Sequence, residues 1–450
     1  MRKLFGTDGV RGVANLEPMT SETAMKLGRA AAHLFKRRAG RHQIVIGKDT
    51  RLSGYMLEQA IASGVCAAGG RVMLCGPMPT PAVAHLTVSM RADAGIVISA
   101  SHNPYQDNGI KVFGADGFKL PDEAECEIER LMGNEQLLGR RATGPDIGRA
   151  DKLEDARGRY VVFLKQTFPN DLSLDGVRVV VDAAHGAAYR VAPLVLQELG
   201  AHVTAIGVKP NGVNINKEAG ALHPEHVRAE VIKRGAAVGI ALDGDADRVI
   251  VVDEKGRIVD GDQVLAMCAA RMAIEGRLKQ RTVVATVMSN LGLEHALLRF
   301  GGKLLRTQVG DRYVVEAMRA GGYNLGGEQS GHLVFLDHAP TGDGMLAALQ
   351  VLALMLRSGR PLSELAEESM QRVPQVLESV TLPARRPLED MRRLAQMTAK
   401  IAKALGEDGR VLVRWSGTEP KLRIMLEGPR EERIRAWAKE LAEAARTDGV

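Results

Sequence analysis

The chain has 450 residues, enough for three or four domains at roughly 100–200 residues each. Its 45% hydrophobic and 25% charged residues exclude broad disorder, and 4% aromatics argue against a base-stacking platform for single-stranded nucleic acid. The net charge of +6 fits an anionic partner without choosing between a phosphorylated metabolite and a nucleic acid.

Met1-Arg2-Lys3 has no apolar run behind it, so no signal peptide is predicted and a cytoplasmic location is expected. Phe5-Gly6-Thr7-Asp8-Gly9-Val10-Arg11-Gly12 then puts one cation, Arg11, on a glycine-bearing turn. Lys36, Arg37, Arg38, Arg41 and His42 form the densest basic run. It reads as an anion patch or as a solvated helix end before a turn at Gly40; without interleaved aromatics the second is expected.

An apolar strand at 43–47 leads through a helix and a Gly-rich turn to a second strand near 71–72. The pattern recurs from 177–182 to 199–203 and from 282–286 to 300–304. Short β-branched runs alternating with helical segments predict parallel βαβ units, hence three related α/β domains.

Within the first, Ile96-Val97-Ile98 runs into Ser99-Ala100-Ser101-His102-Asn103-Pro104. Pro104 disfavours a helical Asn103, so the hydroxyls are expected on a stiffened, exposed loop. Read alone, this is either a structural turn or the seat of a covalent nucleophile. Asp107-Asn108-Gly109-Ile110-Lys111 follows and supplies another cation; singly, Arg11 and Lys111 each read as surface charges. Cys66, Cys75, Cys126 and Cys268 form no C-x-x-C pair and are expected as buried thiols in a reducing compartment.

In the second, Asp243, Asp245 and Asp247 alternate with small residues between strands at 238–242 and 249–252. Three carboxylates so close repel unless a cation joins them, and Gly244 permits the turn that lets them converge. Arg248 stands where an EF-hand needs Gly, and a strand follows, so that loop is excluded. All-oxygen ligands favour Mg²⁺ working on phosphate.

In the third, Gly326-Gly327-Glu328-Gln329-Ser330-Gly331-His332 offers Glu328, Gln329 and Ser330 to sugar hydroxyls or an amine; a plain Gly-rich turn is the alternative. The run 345–356, interrupted by Gln350, is too short to span a bilayer and reads as a core helix. A strand at 376–381, a helix at 391–405, strands at 410–414 and 421–425 and a helix at 431–446 predict a small α+β domain. Its Arg414-Trp415-Ser416-Gly417-Thr418-Glu419-Pro420-Lys421-Leu422-Arg423 segment sets two arginines around a Ser-Gly-Thr turn, which suits a phosphate. Boundaries near 148–155, 253–256 and 358–374 give domains 1–153, 154–254, 255–366 and 367–450, with the last connection expected as a hinge. The absence of a Walker A loop, of G-x-G-x-x-G after a strand and of H-E-x-x-H leaves ATP, dinucleotides and zinc without support.

Taken in order, Ser-Ala-Ser-His-Asn-Pro, Asp-Gly-Asp-Ala-Asp-Arg, Gly-Glu-Gln-Ser-Gly-His and Arg-Trp-Ser-Gly-Thr-Glu-Pro resemble the serine, metal, sugar and phosphate loops of the α-D-phosphohexomutase superfamily, over essentially the whole chain. The resemblance implies three α/β domains with mixed sheets and a C-terminal α+β domain around a central cleft. It implies Ser101 as a phosphoserine and Asp243, Asp245 and Asp247 as Mg²⁺ ligands together with a phosphoserine oxygen. It implies Glu328 and Ser330 on sugar hydroxyls, and Arg414, Ser416, Gly417, Thr418 and Arg423 on the idle phosphate. Lys111 and His332 become candidates for proton transfer, Arg11 and Arg248 for charge stabilisation. The start of the chain and Gln329 look most like the branch that interconverts glucosamine 6-phosphate and glucosamine 1-phosphate through a 1,6-bisphosphate, toward UDP-N-acetylglucosamine and cell-wall precursors. Mannose- and glucose-phosphate relatives usually carry Met at the Gln329 position; they, and a non-catalytic sugar-phosphate sensor, are the alternatives. Relatives suggest a homodimer, and priming of Ser101 calls for the bisphosphate or a kinase.

Overall fold

The computed structural model describes residues 4–6, 8–36, 42–416 and 421–449. The chain forms two compact units, one of residues 1–288 and 302–368, the other of 289–301 and 369–450.

The first unit holds three sheets. The first comprises β1 (Val10–Val13), β2 (Gln43–Lys48), β3 (Arg71–Pro77), β4 (Ala94–Ile98), β5 (Asp107–Gly114) and β6 (Ala150–Lys152) in the order β1-β5-β4-β2-β3-β6. Its helices are α1 (Ser21–Leu34), α2 (Leu52–Ala67), α3 (Thr80–Ser89), α4 (Asp122–Met132) and α5 (Glu135–Gly139), and α6 (Ala156–Thr167) leads onward. The second comprises β7 (Arg178–Asp182), β8 (His202–Ile206), β9 (Val238–Leu242), β10 (Val249–Asp253) and β11 (Ile258–Val259), order β11-β10-β9-β7-β8, with α7 (Val191–Glu198) and α8 (Glu225–Arg234). After α9 (Gly261–Ile274) comes the third, β12 (Thr282–Thr286), β13 (Lys303–Thr307), β14 (Leu325–Gly327) and β15 (Leu333–Phe335), order β13-β12-β14-β15.

One design underlies all three. The first strand of each βαβ pair lies between its two parallel neighbours, and a fourth strand returns antiparallel: β5 on β4, β10 on β9, β15 on β14. The repeat read from the sequence is therefore present, and the sheets are mixed. The inner parallel strands are buried on both faces, which is why 44–46, 94–98 and 179–181 read as continuous apolar runs. The return connections of the three copies are the serine, metal and sugar segments. All three chemistries thus sit at the carboxyl ends of equivalent strands, where open α/β sheets place ligands.

The expected core helix is present as α12 (Gly344–Ser358), which follows α11 (Asp311–Gly321); Gln350 turns its amide to the Thr167 carbonyl at 3.0 Å. The connection at 358–374 is not open chain: it contains α13 (Leu362–Ser369), whose Leu362 and Leu365 are buried. Among the described residues no helix is long and apolar enough to cross a membrane. The cysteines depart from expectation, since Cys268 is buried but Cys66 and Cys75 are half-buried and Cys126 is exposed. Helix α4 buries Glu125, Ile128 and Leu131, and Cys126 falls off that face. Of the basic run, Lys36 is exposed, His42 is buried and 37–41 lie outside the described residues.

The second unit contains β16 (Gln375–Thr381), β17 (Arg410–Trp415) and β18 (Lys421–Glu427) in the order β16-β18-β17, with α14 (Arg392–Leu405) and α15 (Glu431–Asp448). This is the expected α+β tail, and it also takes in α10 (Leu291–Leu298) from within the third repeat. Several bonds hold it there: Asn290 Nδ2 donates to the Val373 carbonyl at 3.0 Å, and the fully buried Glu427 accepts from the Leu291 amide at 3.3 Å and Gln375 Nε2 at 2.9 Å and pairs with Arg410.

Asp343 caps α12 through the Leu346 amide at 3.0 Å and accepts from Tyr160 Oη at 2.6 Å. Burial pushes its carboxyl up to about 6. An unfolded aspartate sits near roughly 3.9, so between those values the folded state holds the extra proton and stability falls as pH rises. Asp343→Asn keeps the cap without the charge. Its gain in thermal midpoint over the natural protein should widen from pH 5 to pH 7; a gain independent of pH would contradict the raised carboxyl.

Candidate active site

Arg51, at the start of α2, is fully buried and spends every N–H it has. Its Nε reaches Asp49 Oδ2 at 2.7 Å; Nη2 reaches the Ser101 and Asn103 carbonyls at 2.9 Å each; Nη1 reaches the Asp107 carbonyl at 3.0 Å and that of Pro104. Asp49 also accepts Ser99 Oγ at 2.6 Å, and Ser99 Oγ accepts the Ser101 amide at 2.9 Å. From the second repeat, Asn216 Nδ2 donates to the Ser101 carbonyl at 2.8 Å. These bonds hold Ser101 at φ +50°, a left-handed conformation that a serine adopts only when its surroundings impose it. The expected exposure of the loop is therefore corrected: Ser101 is 1% exposed, because Arg51, Asn216 and the aspartate loop close over its backbone.

Ser101 Oγ donates to Asp243 Oδ2 at 2.7 Å. Asp243, Asp245 and Asp247 are all buried, with one oxygen from each within 4.8 Å of the others. The left-handed residue of this turn is Ala246, φ +58°, not Gly244. Gly244 is there for close approach, since a Cβ would lie 2.6 Å from the Ser101 carbonyl oxygen. Asp245 is held by Thr80 Oγ1 at 2.7 Å and Lys111 Nζ at 2.9 Å. Asp245 Oδ1 and Asp247 Oδ1 are buried without a hydrogen bond among the described residues. Converging carboxylates with orphaned oxygens fit a divalent cation.

The surrounding charges split the aspartates. Burial, with Asp247 and Asp245 alongside, pushes Asp243 well above the carboxylate range. Burial would do the same to Asp247, but Lys111 and His332 hold it well below. Lys111 is 2% exposed and so is not a surface cation; burial opposes its charge, yet Asp245 and Asp8 raise its pKa. His332 is likewise buried, with Nδ1 3.6 Å from Asp247 Oδ2, and the carboxylates overcome burial to raise its pKa. Burial, then Arg248 and Arg11, bring His102 down to about 4, so it stands neutral 3.3 Å from Ser101 Oγ. Arg248 lies 3.8 Å from Asp247, and Arg11 pairs with Asp8.

Glu328, also buried, receives the Gly310 amide at 3.2 Å; Gln329 is half-buried and Ser330 exposed. The Val249 amide donates to the Gly331 carbonyl at 3.0 Å, fastening this loop to the metal loop. In the second unit Arg414 and Arg423 are cross-strand partners, so two cations share one face of the sheet. Burial and Arg423 lower the pKa of Arg414, a pairing that an anion would relieve. Ser416 is buried; Gly417 and Thr418 lie outside the described residues. The structure thus brings Ser101, Lys111, the three aspartates, Arg248 and His332 together. Sequence reasoning missed Arg51, Asn216, Thr80, Lys119 and Asp311. Asp49-Thr50-Arg51, a polar triplet directly after an apolar strand, is the one of these with a visible signal.

Models of the phosphoglucomutase/phosphomannomutase family match the chain in series: alpha/beta/alpha domain I at 2–138, domain II at 159–256, domain III at 260–373 and the C-terminal domain at 377–444. The chain belongs to this phosphohexomutase family and is an isomerase of the mutase kind. It is 69% identical over 448 residues to the phosphoglucosamine mutase of Sorangium cellulosum, covering 99% of this chain and 93% of that one. It is 61% identical over 449 residues to the phosphoglucosamine mutase of Anaeromyxobacter sp. strain Fw109-5, covering 99% and 96%. A Burkholderia thailandensis family member of solved structure shares the fold at TM-score 0.82, with 24% identity over 99% of this chain and 97% of that one. So does Aspergillus fumigatus N-acetylphosphoglucosamine mutase, solved with GlcNAc-6P and magnesium, at TM-score 0.69 and 16% identity over 100% and 96%.

Replacing Arg51 by Met leaves the buried Asp49 carboxylate without its cation and takes one donor from each of the Ser101, Asn103, Pro104 and Asp107 carbonyls. Loss of one partner of a buried pair costs about 3–5 kcal/mol. Chemical denaturation of Arg51→Met should show a loss of that order; unchanged stability would deny the guanidinium its role.

Proposed function

We propose that the chain interconverts glucosamine 6-phosphate and glucosamine 1-phosphate, with Ser101 holding the phosphoryl group between two half-reactions. The observation that carries the reading is the 2.7 Å contact between Ser101 Oγ and Asp243, a hydroxyl set against the cation-competent aspartates, which supports a phosphoryl acceptor there. Curated relatives at 69% and 61% identity bear the name phosphoglucosamine mutase, which supports the amino sugar. Asp243, Asp245 and Asp247 would hold Mg²⁺, the ion present in the fungal neighbour. Bound there, it supplies positive charge to the phosphoryl oxygens.

The residues of the chain position, neutralise and move protons, which is most of what phosphoryl transfer requires. In the first half-reaction the bond from phosphorus to Ser101 Oγ breaks and one to O1 of the sugar forms. The O1 proton leaves to solvent or a site base, and Ser101 Oγ regains one from Lys111 or His332, both cationic beforehand. Glucosamine 1,6-bisphosphate then reverses, and its 6-phosphoryl group returns to Ser101. Arg11 and Arg248 balance the charge of the group in flight. Glu328, Gln329 and Ser330 hold the ring, while Arg414, Ser416, Gly417, Thr418 and Arg423 hold the other phosphate. The domains carrying these parts are read as 1–153, 154–254, 255–366 and 367–450. Priming by the bisphosphate or a kinase, a homodimer and a cytoplasmic location complete the reading.

Intact-mass measurement should find one phosphate on the natural protein, lost on adding a substrate analogue that accepts the phosphoryl group at O1 but carries no 6-phosphate to return, and none on Ser101→Ala. That variant should lose roughly 10³-fold or more in turnover with its thermal midpoint retained. Normal turnover would end the phosphoserine mechanism. Gln329→Met should move the preference between glucosamine and glucose 6-phosphates roughly 10-fold toward glucose, measured as a ratio of kcat/KM values. An unmoved ratio would remove Gln329 as the basis of amino-sugar choice.

A further inference from the structure

Lys111 and His332 are linked twice. One link is Asp247, 3.6 Å from Lys111 Nζ and 3.6 Å from His332 Nδ1. The other runs through residues that the phosphoryl mechanism leaves unused. Lys111 Nζ lies 3.4 Å from Asp8 Oδ2, and Asp8 Oδ1 accepts from Lys119 Nζ at 2.5 Å. Lys119 Nζ also donates to Asp311 Oδ2 at 2.5 Å, and that oxygen is 3.5 Å from His332 Nε2. Asp247, Lys111, Asp8, Lys119, Asp311 and His332 form a closed ring in which negative and positive groups alternate.

We propose that Asp8, Lys119 and Asp311 are positioning residues that fix Lys111 and His332 for proton transfer, with Lys119 as the keystone. This rests on the mutase reading above. The two contacts of Lys119 are hydrogen bonds, whereas Lys111–Asp8 and His332–Asp311 are looser ion pairs. Lys119 is bonded to both carboxylates at once, while Arg11 bonds Asp8 alone. Without the charge of Lys119, Asp8 and Asp311 face each other as like charges at a half-buried site. Burial opposes the charge of Lys119, and Asp311 and Asp8 restore it. Asp311 is the first residue of α11, where the helix dipole favours a carboxylate. Gly342 packs against the same end of the imidazole: a Cβ there would lie 2.3 Å from His332 Nε2, so only glycine leaves the ring its place beside Asp311. The ring also spans the repeats, with Asp8 ahead of β1, Lys119 beyond β5, Asp247 between β9 and β10, and Asp311 and His332 in the third repeat.

A neighbouring contact supplies the control. Arg312 bonds Glu125 at 2.5 Å and pairs with Asp122, joining the same first and third repeats outside the ring. Lys119→Met and Asp311→Asn should each lower kcat roughly 10-fold or more, with KM for glucosamine 6-phosphate within about 3-fold, since small misplacement of a reacting group is expensive. The double variant should fall no further than the worse single one, because both break one link. Arg312→Gln should lower the thermal midpoint and leave kcat within about 2-fold. Independently of turnover, the ring ¹⁵N resonances of His332, assigned with His332→Gln, should move in both ring variants and hold still in Arg312→Gln. Multiplicative losses in the double variant, or unmoved His332 resonances, would overturn the proposal. A natural protein inactive on glucosamine 6-phosphate would overturn the substrate reading instead, with the resonances still judging the ring.

Discussion

Three aspartates buried within reach of one another are the constraint from which the rest of this structure follows. Removing a carboxylate from water costs several kcal/mol even after relaxation, and gathering three multiplies the cost. The protein answers with Lys111, Arg248 and His332 around the cluster and with Thr80 on Asp245. The compensation is incomplete: Asp243 stays poorly disposed to ionise, and Asp245 and Asp247 each keep an oxygen without a hydrogen bond among the described residues. A folded state that leaves such a deficit fits a divalent cation at the cluster.

The threefold repeat explains how one connection came to hold three chemistries. Each return turn begins at the end of a parallel strand buried on both sides, so its first residues inherit a fixed direction. What differs is only what the turn carries: a hydroxyl, three carboxylates, or a glutamate among glycines. The shared frame brings the turns together, as in the 3.0 Å bond from Val249 to Gly331, and side-chain identity does the rest.

Much of this was legible in the sequence. Apolar runs bounded by glycine turns revealed the repeats, and the aspartate spacing revealed the metal loop, because both signals are local. Burial was not legible. Ser101 and Lys111 read as exposed because Ser101 lies in a polar turn and Lys111 just after the glycine-bearing Asp107-Asn108-Gly109 segment, whereas the groups that cover them, Asn216, Asp243 and Asp245, lie more than a hundred residues away. Lys119 and Asp311 had no local mark at all, since a charged residue in a turn or at a helix start is ordinary. Gly244 was legible for the wrong reason, as a hinge of the turn rather than a gap for the Ser101 carbonyl. The attachment of α10 to the C-terminal unit runs through scattered bonds from Asn290, Leu291 and Arg299 to Val373, Glu427 and Ser369, and no periodicity announces it.

The backbone of Ser101 has one further consequence. Its carbonyl is gripped by Arg51 from the first repeat and by Asn216 from the second. In an assembly of separate parts, alignment errors accumulate at the joints. Here the joint itself is made of the part that must stay aligned. Slippage between the first two sheets has to break these grips before acceptor and aspartates part, so their spacing is a property of the seam and not of either domain.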